Sequence, residues 1–253
     1  MLQETFHHDD SILPNMPLTH YFFHTPGKKQ KKSGRAAGGL ITLIKKSSTR
    51  VEPEKVFENM NVLALKCSFF ECQIPVLIIN VYRGSSASPI FDTNFINFLS
   101  ERIDENRCGK VIMAGDFNAK FGSWQSFNSD EYEFDFSSVA PVKSVEKSAN
   151  SMGIQILNLA NDNGLKVVYA KGSDGETALP TLRKSKAVLD VFFVDGFEEE
   201  FCRLLDSPWS DHFAVESVLR FRSNAGQAPE SNQFEETFRI TKCFLDYSKI
   251  SDI

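Results

Sequence analysis

Apolar residues in this chain fall into short runs separated by polar segments, a pattern typical of β-strands and their connections. Residues 76–81 are apolar on both faces, as expected of an inner strand that lies between two packed layers. Other strand-like runs occupy residues 39–44, 62–67, 110–114, 188–194 and 213–219. The pattern therefore predicts a domain built mainly from strands.

Two segments carry apolar residues at helical spacing instead. The first stripe is formed by Phe91, Phe95, Phe98, Leu99 and Ile103. It predicts an amphipathic helix over residues 91–106 that covers a sheet. The second stripe is formed by Met152, Ile156, Leu159 and Ala160. Asn163 and Gly164 follow it and predict the C-terminus of that helix.

The last part of the chain differs in composition from the rest. Residues 223–232 are polar and contain Gly and Pro, and we interpret them as a linker. For residues 234–253 the sequence leaves two alternatives open, a short helix or a disordered tail. The predicted organisation is one domain over residues 1–222, followed by a linker and tail over residues 223–253.

Composition favours one compact domain inside the cell. A length of 253 residues and a hydrophobic content of 42% suffice for a sandwich with a single core. No apolar stretch approaches the roughly 18 residues of a membrane span, and the N-terminus lacks the features of a signal peptide. The five cysteines are odd in number and lack metal-ligand spacing, which argues against disulfides or zinc. Reduced thiols indicate the nucleus or cytoplasm, away from membranes.

The charge distribution restricts how the chain could bind nucleic acid. A formal net charge of −5 argues against a protein that coats nucleic acid through bulk electrostatics, although contact with nucleic acid at a single site needs only a local basic track. The candidate track consists of Lys28, Lys29, Lys31, Lys32 and Arg35. It lies between Pro-Gly and Gly-Gly pairs, which predict a hairpin tip. Two interpretations stay open, a DNA contact and a solvated loop that protects a sheet edge from aggregation.

The strongest chemical signal follows the apolar run at residues 110–114. The chain continues as Gly-Asp-Phe-Asn-Ala-Lys-Phe-Gly-Ser-Trp from Gly115 to Trp124. Because strand side chains alternate, we expect Asp116 and Asn118 side by side at the carboxyl end of a strand. A carboxylate can orient or deprotonate a water, and an amide can donate to a phosphate oxygen. Taken alone, the motif is equally compatible with an Asx turn.

Two further acidic elements lie beside apolar runs. Ser-Asp-His at residues 210–212 precedes the run at 213–219, and Asp190 lies near the start of the run at 188–194. An acid within an apolar strand must be exposed at a strand end, paired or functional. We expect Asp190 to pair with His212. Such a carboxylate fixes the imidazole tautomer and favours the protonated form, which would stabilise an oxyanion at phosphorus.

In this order, these elements resemble the endonuclease/exonuclease/phosphatase superfamily. Within it, the flanking residues are most similar to the apurinic-type endonuclease domain of non-LTR retrotransposons. The similar segments are Gly-Asp-Phe-Asn-Ala-Lys at 115–120 with Trp124, Ile-Asn-Val-Tyr-Arg at 79–83, Pro-Thr-Leu-Arg at 180–183, Ser-Asp-His at 210–212 and Leu-Gln-Glu-Thr at 2–5. The resemblance covers roughly residues 2–221, and the ordered set is specific where a single motif is not.

The resemblance implies a metal-dependent hydrolase. Glu4 would bind Mg²⁺ or Mn²⁺ with help from Asp211, because hard divalent cations prefer carboxylate oxygen. The alternative for Glu4 is an ordinary surface carboxylate near the N-terminus. Substrate contacts are implied for Thr181 and Ser210.

The resemblance also implies catalytic roles for side chains of the strand-end motifs. Asp116 would activate the attacking water, and Asn118 would help to hold the phosphate. His212, oriented by Asp190, would stabilise the transition state. Tyr82 would donate its hydroxyl to a phosphate oxygen, and the alternative is a buried Tyr whose hydroxyl is satisfied within the protein.

The implied fold is an α/β four-layer sandwich, with two mixed β-sheets face to face, helices outside and the site on one rim. Relatives carry an opening strand before the Glu4 segment, with an Asn that reaches into the metal site. This chain starts three residues before Glu4, so we expect the sheet to lack that first strand. Unless another segment replaces it, the sheet loses ladder hydrogen bonds and the site loses an orienting amide.

The implied function is that of a DNA endonuclease of the retrotransposon type, which nicks DNA by water attack and leaves a 3′-hydroxyl. The expected partners are DNA and a reverse transcriptase encoded elsewhere in the parent element. Two alternatives stay open: an inactive nuclease-like remnant of a mobile element, and a phosphomonoesterase that acts on inositol phosphates or nucleotides. Nicking of supercoiled plasmid and hydrolysis of small phosphate esters would discriminate among them.

Overall fold

The computed structural model describes residues 1–3, 5, 18–28, 38–70, 72–84, 88–122, 143–144, 146, 148–185, 187–206, 210–221 and 236–244. In chain order the elements are β1 (Leu2–Gln3), β2 (His20–Thr25), β3 (Leu40–Lys45), β4 (Glu54–Asn59), β5 (Val62–Cys67), β6 (Val76–Tyr82), α1 (Pro89–Asn106), β7 (Lys110–Asp116), β8 (Lys143–Ser144), α2 (Ser151–Asp162), β9 (Lys166–Val168), β10 (Thr177–Ala178), β11 (Asp190–Asp195), β12 (Glu198–Leu205), β13 (Ala214–Phe221) and β14 (Glu236–Phe244). A 3-10 helix at Lys46–Ser48 follows β3.

Two six-stranded sheets form the body of the described structure. The first has the strand order β12-β13-β14-β1-β3-β2, and the second has the order β4-β5-β6-β7-β11-β9. One pair in each sheet is parallel, β1 with β14 and β6 with β7, and the other pairs are antiparallel. Both sheets are therefore mixed, and the predicted α/β sandwich is confirmed.

The core has two parts because each inner strand of the second sheet is apolar on both faces. One face of that sheet packs against the first sheet through residues that include Leu63, Leu65, Ile78, Ile112, Phe192, Leu40, Val215 and Leu219. The opposite face packs against both α-helices through residues that include Val81, Val111, Met113, Phe193, Phe95, Leu99, Ile103, Ile156 and Leu159. Within the described residues, helices therefore cover the second sheet. Neither of these helices is long and apolar enough to cross a membrane.

Local signals explain where the two helices begin and end. Ser88 caps α1 by accepting a hydrogen bond from the Phe91 N–H, and Pro at the first helical position suits a helix start. Asn150 caps α2 in the same way by accepting from the Gly153 N–H. At the other end of α2, Gly164 takes a φ of 62° and ends the helix as predicted.

A buried amide joins the two sheets. The Asn80 Nδ2 atom of β6 donates to the backbone oxygens of Leu2 at 3.2 Å and Ile41 at 3.0 Å, and to Thr42 Oγ1 at 3.2 Å. Asn80 Oδ1 in turn accepts from the side chain of Gln3. A buried polar group must find such partners, so this network fixes β1 and β3 over the middle of the second sheet.

Among the described residues, Cys67, Cys72, Cys108 and Cys202 form no disulfide. Burial raises the pKa of Cys67 to about 12 and that of Cys202 to about 12. Thiols with such pKa values are weak nucleophiles at neutral pH. These cysteines therefore contribute to packing.

The C-terminal strand β14 has a place inside the first sheet. It pairs with β13 on one side and with β1 on the other, so it continues the sheet between them. The sequence had left a short helix or a disordered tail open for residues 234–253, and the strand at Glu236–Phe244 differs from both. The physical reason is long-range pairing: β13 and β1 offer backbone groups that only a strand between them can satisfy.

A graded pair of substitutions at Ile240 tests this placement. Ile240 lies opposite Ser217 and packs, partly buried, against the core between the sheets. We expect Ile240→Asp to lower the free energy of unfolding by about 2 kcal/mol, because it brings a carboxylate against apolar side chains. Ile240→Val should cost about 1 kcal/mol or less. Urea unfolding followed by circular dichroism measures both, and two wild-type values would contradict the placement.

Candidate active site

Three adjacent strands of the second sheet bring chemical groups into one row. Tyr82 ends β6, Asp116 ends β7 and Asp190 begins β11. Tyr82 pairs with Asp116 in the parallel ladder, and Asp116 pairs with Asp190 in the antiparallel ladder. Residues paired across neighbouring strands point to the same face. Here that face is the one that meets the first sheet, since Ala114 and Phe192 of the same strands pack there.

Asp116 and Asn118 lie together, although strand alternation is not the reason. Asn118 lies beyond the end of β7 and takes a φ of 44°, which makes a tight turn after Asp116. Its N–H donates to Asp116 Oδ1 at 2.9 Å, and its Nδ2 donates to Asp116 Oδ2 at 3.0 Å. The turn thus holds both carboxylate oxygens of Asp116, which is 2% exposed. The sequence offered an Asx turn as the alternative to a site motif, and the Asp116–Asn118 segment is both.

His212 and Asp190 form the pair predicted from sequence. Asp190 Oδ2 lies 2.8 Å from His212 Nδ1, and both side chains are buried. A carboxylate at this distance accepts the Nδ1–H, so Nδ1 carries a proton. Nε2 lies on the side of the ring away from Asp190. Ser210 Oγ, 3.0 Å from the His212 N–H, accepts a hydrogen bond that shapes the turn before β13.

Thr181 and Arg183 support this pair. Thr181 Oγ1 accepts from the N–H groups of Leu189 at 3.0 Å and Asp190 at 3.2 Å, and so fixes the entry into β11. The Arg183 N–H donates to the Asp211 carbonyl at 2.8 Å, and its guanidinium lies 4.4 Å from the centroid of the Phe213 ring. Thr181 thus holds Asp190 from a buried position, in addition to the substrate contact predicted for it.

Asp116, Asp190 and His212 also form a group that could hold a cation. Each offers a ligand atom, and these atoms lie within 4.8 Å of one another. Two buried carboxylates side by side carry negative charge that one imidazole compensates only in part. A hard divalent cation prefers carboxylate oxygen and would compensate the remainder. The donor set therefore fits a magnesium-like ion in chemistry and charge.

The remaining predicted site residues lie at the rim or outside the described part of the chain. Asp211 and Lys28 are exposed, and Ser210 is half-buried. The predicted residues outside the described ranges are Glu4, Lys29, Lys31, Lys32, Arg35 and Trp124. Their roles in metal binding, DNA contact and packing stay predictions.

Sequence reasoning missed Glu146, a buried carboxylate near the segments that follow β7 and precede β11. Burial raises its pKa above the ordinary value of 4.5, and the nearby backbone of Gly122, Val188 and Phe121 and the charge of Lys120 act in the opposite direction. Phe121 and Gly122 follow the turn after β7, and Val188 precedes β11. Glu146 thus lies close to the segments that carry Asp116 and Asp190. Nothing in its sequence neighbourhood distinguishes it from a surface acid.

The raised pKa of Glu146 predicts a pH dependence of stability. A folded-state pKa above the ordinary value means stabilisation that is fully present below about pH 4.5 and lost as pH rises through the folded pKa. We therefore expect the wild-type protein to lose stability relative to Glu146→Gln between about pH 4 and pH 7. Urea unfolding of both proteins at the two pH values measures this difference. The exposed Glu52→Gln is the control, and an equal pH response of all three would contradict the prediction.

Comparison with known proteins agrees with this geometry. A family model described as endonuclease-reverse transcriptase matches residues 76–216, more than half of the chain. The match includes Tyr82, Asp116 and Asp190, the central row of the candidate site. No curated protein sequence matches significantly.

Several solved structures are similar. An endonuclease/exonuclease/phosphatase family protein from Bacteroides thetaiotaomicron is 12% identical with a TM-score of 0.51, over 81% of this chain and 74% of that chain. The endonuclease domain of TRAS1, a telomere-specific non-LTR retrotransposon, is 16% identical with a TM-score of 0.47, over 77% and 76%. D. rerio TDP2 complexed with a single-strand DNA product is 15% identical with a TM-score of 0.46, over 80% and 77%.

The superfamily that contains the matched family consists of nucleases, phosphodiesterases and phosphatases, hydrolases that typically depend on a divalent metal. The buried Asp116–Asp190–His212 group lies in the segment that the family model matches. The chain belongs to the endonuclease-reverse transcriptase family, within the endonuclease/exonuclease/phosphatase superfamily.

Proposed function

We propose that this chain is a metal-dependent phosphodiesterase that nicks DNA by attack of water on the backbone phosphate. The observation that carries the proposal is the convergence of Asp116, Asp190 and His212 at one end of adjacent strands. Each has a fixed orientation before substrate binds, and preorganised charge of this kind is what stabilises a transition state.

Asp116 is the proposed base. Its two carboxylate oxygens accept from the backbone and side chain of Asn118, which holds it in one rotamer. A water held against this carboxylate could be oriented or deprotonated for attack in line with the leaving oxygen. Asn118 Nδ2 also donates to the Arg83 carbonyl at 2.7 Å, so its amide is engaged inside the turn. Its role in this proposal is to orient Asp116, because both Nδ2 hydrogens are engaged, and the predicted phosphate contact would require one of these bonds to break.

His212 is the proposed stabiliser of the transition state. Its Nδ1 is held by Asp190, so Nε2 is the atom through which it would meet a phosphate oxygen. A protonated imidazole beside the growing charge would lower the barrier, and Tyr82 in the same row could add a hydroxyl donor.

A divalent cation, Mg²⁺ or Mn²⁺, would neutralise charge on the phosphate. Glu4 and Asp211 are the ligands proposed from the family resemblance, beside the buried carboxylates of the central row. Removing divalent ions with a chelator should therefore abolish turnover.

The predicted basic track favours DNA as the substrate. Gly38, the first described residue after the track, adjoins the site, because a Cβ there would lie 3.7 Å from Tyr82 Cδ1. Lys28, at the other end of the track, is exposed and follows β2. In this proposal the cations of the track would meet the phosphates that flank a scissile bond. Reversal of its charges should then weaken DNA binding without unfolding the protein.

Nicking of supercoiled plasmid in the presence of Mg²⁺ tests the proposal. The protein is compared with its Asp116→Asn/His212→Ala double variant, and both are also assayed on small phosphate monoesters. Mg²⁺-dependent nicking that the variant lacks would support a nuclease. Hydrolysis of monoesters without nicking would indicate a phosphatase instead. A folded protein that does neither would contradict the proposal and indicate an inactive relative.

A further inference from the structure

Arg83, the residue after β6, makes three side-chain contacts although it is almost completely buried. Its Nε donates to Asp92 Oδ1 at 2.7 Å and its Nη2 donates to Asp92 Oδ2 at 2.9 Å, a bidentate pair. Its Nη1 donates to the Asn118 carbonyl at 3.0 Å. The guanidinium fork therefore connects the first turn of α1 with the turn that follows β7.

The backbone of Arg83 holds the same turn. Its N–H donates to the Asp116 carbonyl at 2.8 Å, and its carbonyl accepts from Asn118 Nδ2 at 2.7 Å. Arg83 thus forms hydrogen bonds with both the backbone carbonyl and the side-chain amide of Asn118. Such restraint is needed because a φ of 44° is unfavourable for a residue with a side chain.

A purely structural role would not require this arrangement. A buried ion pair adds little net stability compared with apolar side chains of the same size, because both charges must be desolvated. Asp92 accepts from Nε and Nη2, and the remaining nitrogen, Nη1, is directed at the Asn118 carbonyl. Arg suits this geometry because its fork is planar and rigid, whereas a Lys ammonium could not span both acceptors in the same way.

We infer that Arg83 and Asp92 are positioning residues for the hydrolytic reaction: Asp92 orients the guanidinium, the guanidinium fixes the Asn118 turn, and the turn aims the Asp116 carboxylate. The inference rests on the proposed function for its kinetic consequence. Its structural consequence, a rigid turn, can be measured without any activity.

The chain offers a matched control on the opposite rim. Arg107 donates Nη1 to the Asn163 carbonyl at 2.9 Å and Nη2 to Asp195, so it also joins one carboxylate to one backbone carbonyl. Arg107 lies before β7 and Asp195 ends β11, at the strand ends far from Asp116. Arg107→Lys therefore removes the same kinds of contact away from the site.

The experiment compares Arg83→Lys with Arg107→Lys in the full chain. We expect Arg83→Lys to lower kcat for plasmid nicking by about 10-fold or more with KM changed by less than about 2-fold, because transition-state alignment is lost and substrate binding is not. Arg107→Lys should leave kcat within about 2-fold of wild type. Asp92→Asn, which keeps the shape of the side chain, provides a second variant should Arg83→Lys fail to fold, and it should lower kcat in the same way.

Amide hydrogen exchange at Asn118 reports on the turn directly. Its N–H is bonded to Asp116 Oδ1, and we expect exchange to quicken by about 10-fold or more in Arg83→Lys and to stay unchanged in Arg107→Lys. Wild-type exchange and wild-type kcat in a folded Arg83→Lys protein would overturn the inference. If the wild-type protein nicks no DNA but exchange at Asn118 is faster in Arg83→Lys, the result would support the positioning of the turn and reject only the proposed function.

Discussion

Replacement of Asp190 by Asn is expected to reduce nicking by about 10²- to 10⁴-fold with the fold preserved. Asp190 is completely buried, and its Oδ2 accepts the Nδ1–H of His212 at 2.8 Å. Asn has the same shape but can present an N–H to that nitrogen. The imidazole would then carry its proton on the wrong nitrogen and lose the charge that stabilises its protonated form.

The same substitution at the other end of β11 provides the control. Asp195 ends the strand, is half-buried and pairs with Arg107. We expect Asp195→Asn to nick plasmid at close to the wild-type rate, because it lies at the rim opposite the site. The test compares the plasmid nicking rates of Asp190→Asn and Asp195→Asn, with circular dichroism to verify that both proteins fold. A wild-type rate in a folded Asp190→Asn protein would remove His212 from the proposed mechanism.

Replacement of Gly115 by Ala should destabilise the protein by about 3 kcal/mol or more. Gly115 pairs with Val81 in the parallel ladder of β6 and β7, in the middle of the second sheet. A Cβ at this position would lie 2.1 Å from the Val81 carbonyl oxygen and 2.7 Å from Val81 Cβ. Neither backbone can shift to make room without separating β6 and β7. The next pair along this ladder is Tyr82 with Asp116, two residues of the candidate site.

Gly84 supplies a matched control for this effect. It lies just after β6, and a Cβ there would contact nothing within 4 Å. Gly84→Ala should therefore change the free energy of unfolding by less than about 1 kcal/mol. Urea denaturation of the two variants gives the comparison. A Gly115→Ala protein as stable as wild type would mean that β6 and β7 do not approach as closely as described.

The sequence alone determined six of the eight inner strands of the two sheets, both helices and the pairing of two candidate site residues. Strands β3, β5, β6, β7, β11 and β13 and both helices follow from apolar periodicity, because each buries a continuous face. The pairing of Asp190 with His212 was also predictable, since a carboxylate in an apolar strand needs a partner. The match to the family over residues 76–216 bears out the resemblance.

Edge strands were much harder to predict than inner ones. β2, β4, β9 and β12 form the four edges of the two sheets, and their residues are mostly half-buried or exposed. An edge strand has a neighbour on one side only and so carries less of the apolar signal. Charged residues such as those that open β12 suit this position and hide the strand in the sequence.

Only the tertiary structure decided how distant segments complete one another. β14 is a strand because β13 and β1 lie on either side of it, a fact of pairing that local composition does not encode. Glu146 and the Arg83–Asp92 pair acquire their importance from contacts with the segments beside Asp116 and Asp190, far away in sequence. Periodicity reports which face a residue buries, whereas the identity of the partner on that face depends on the packed fold.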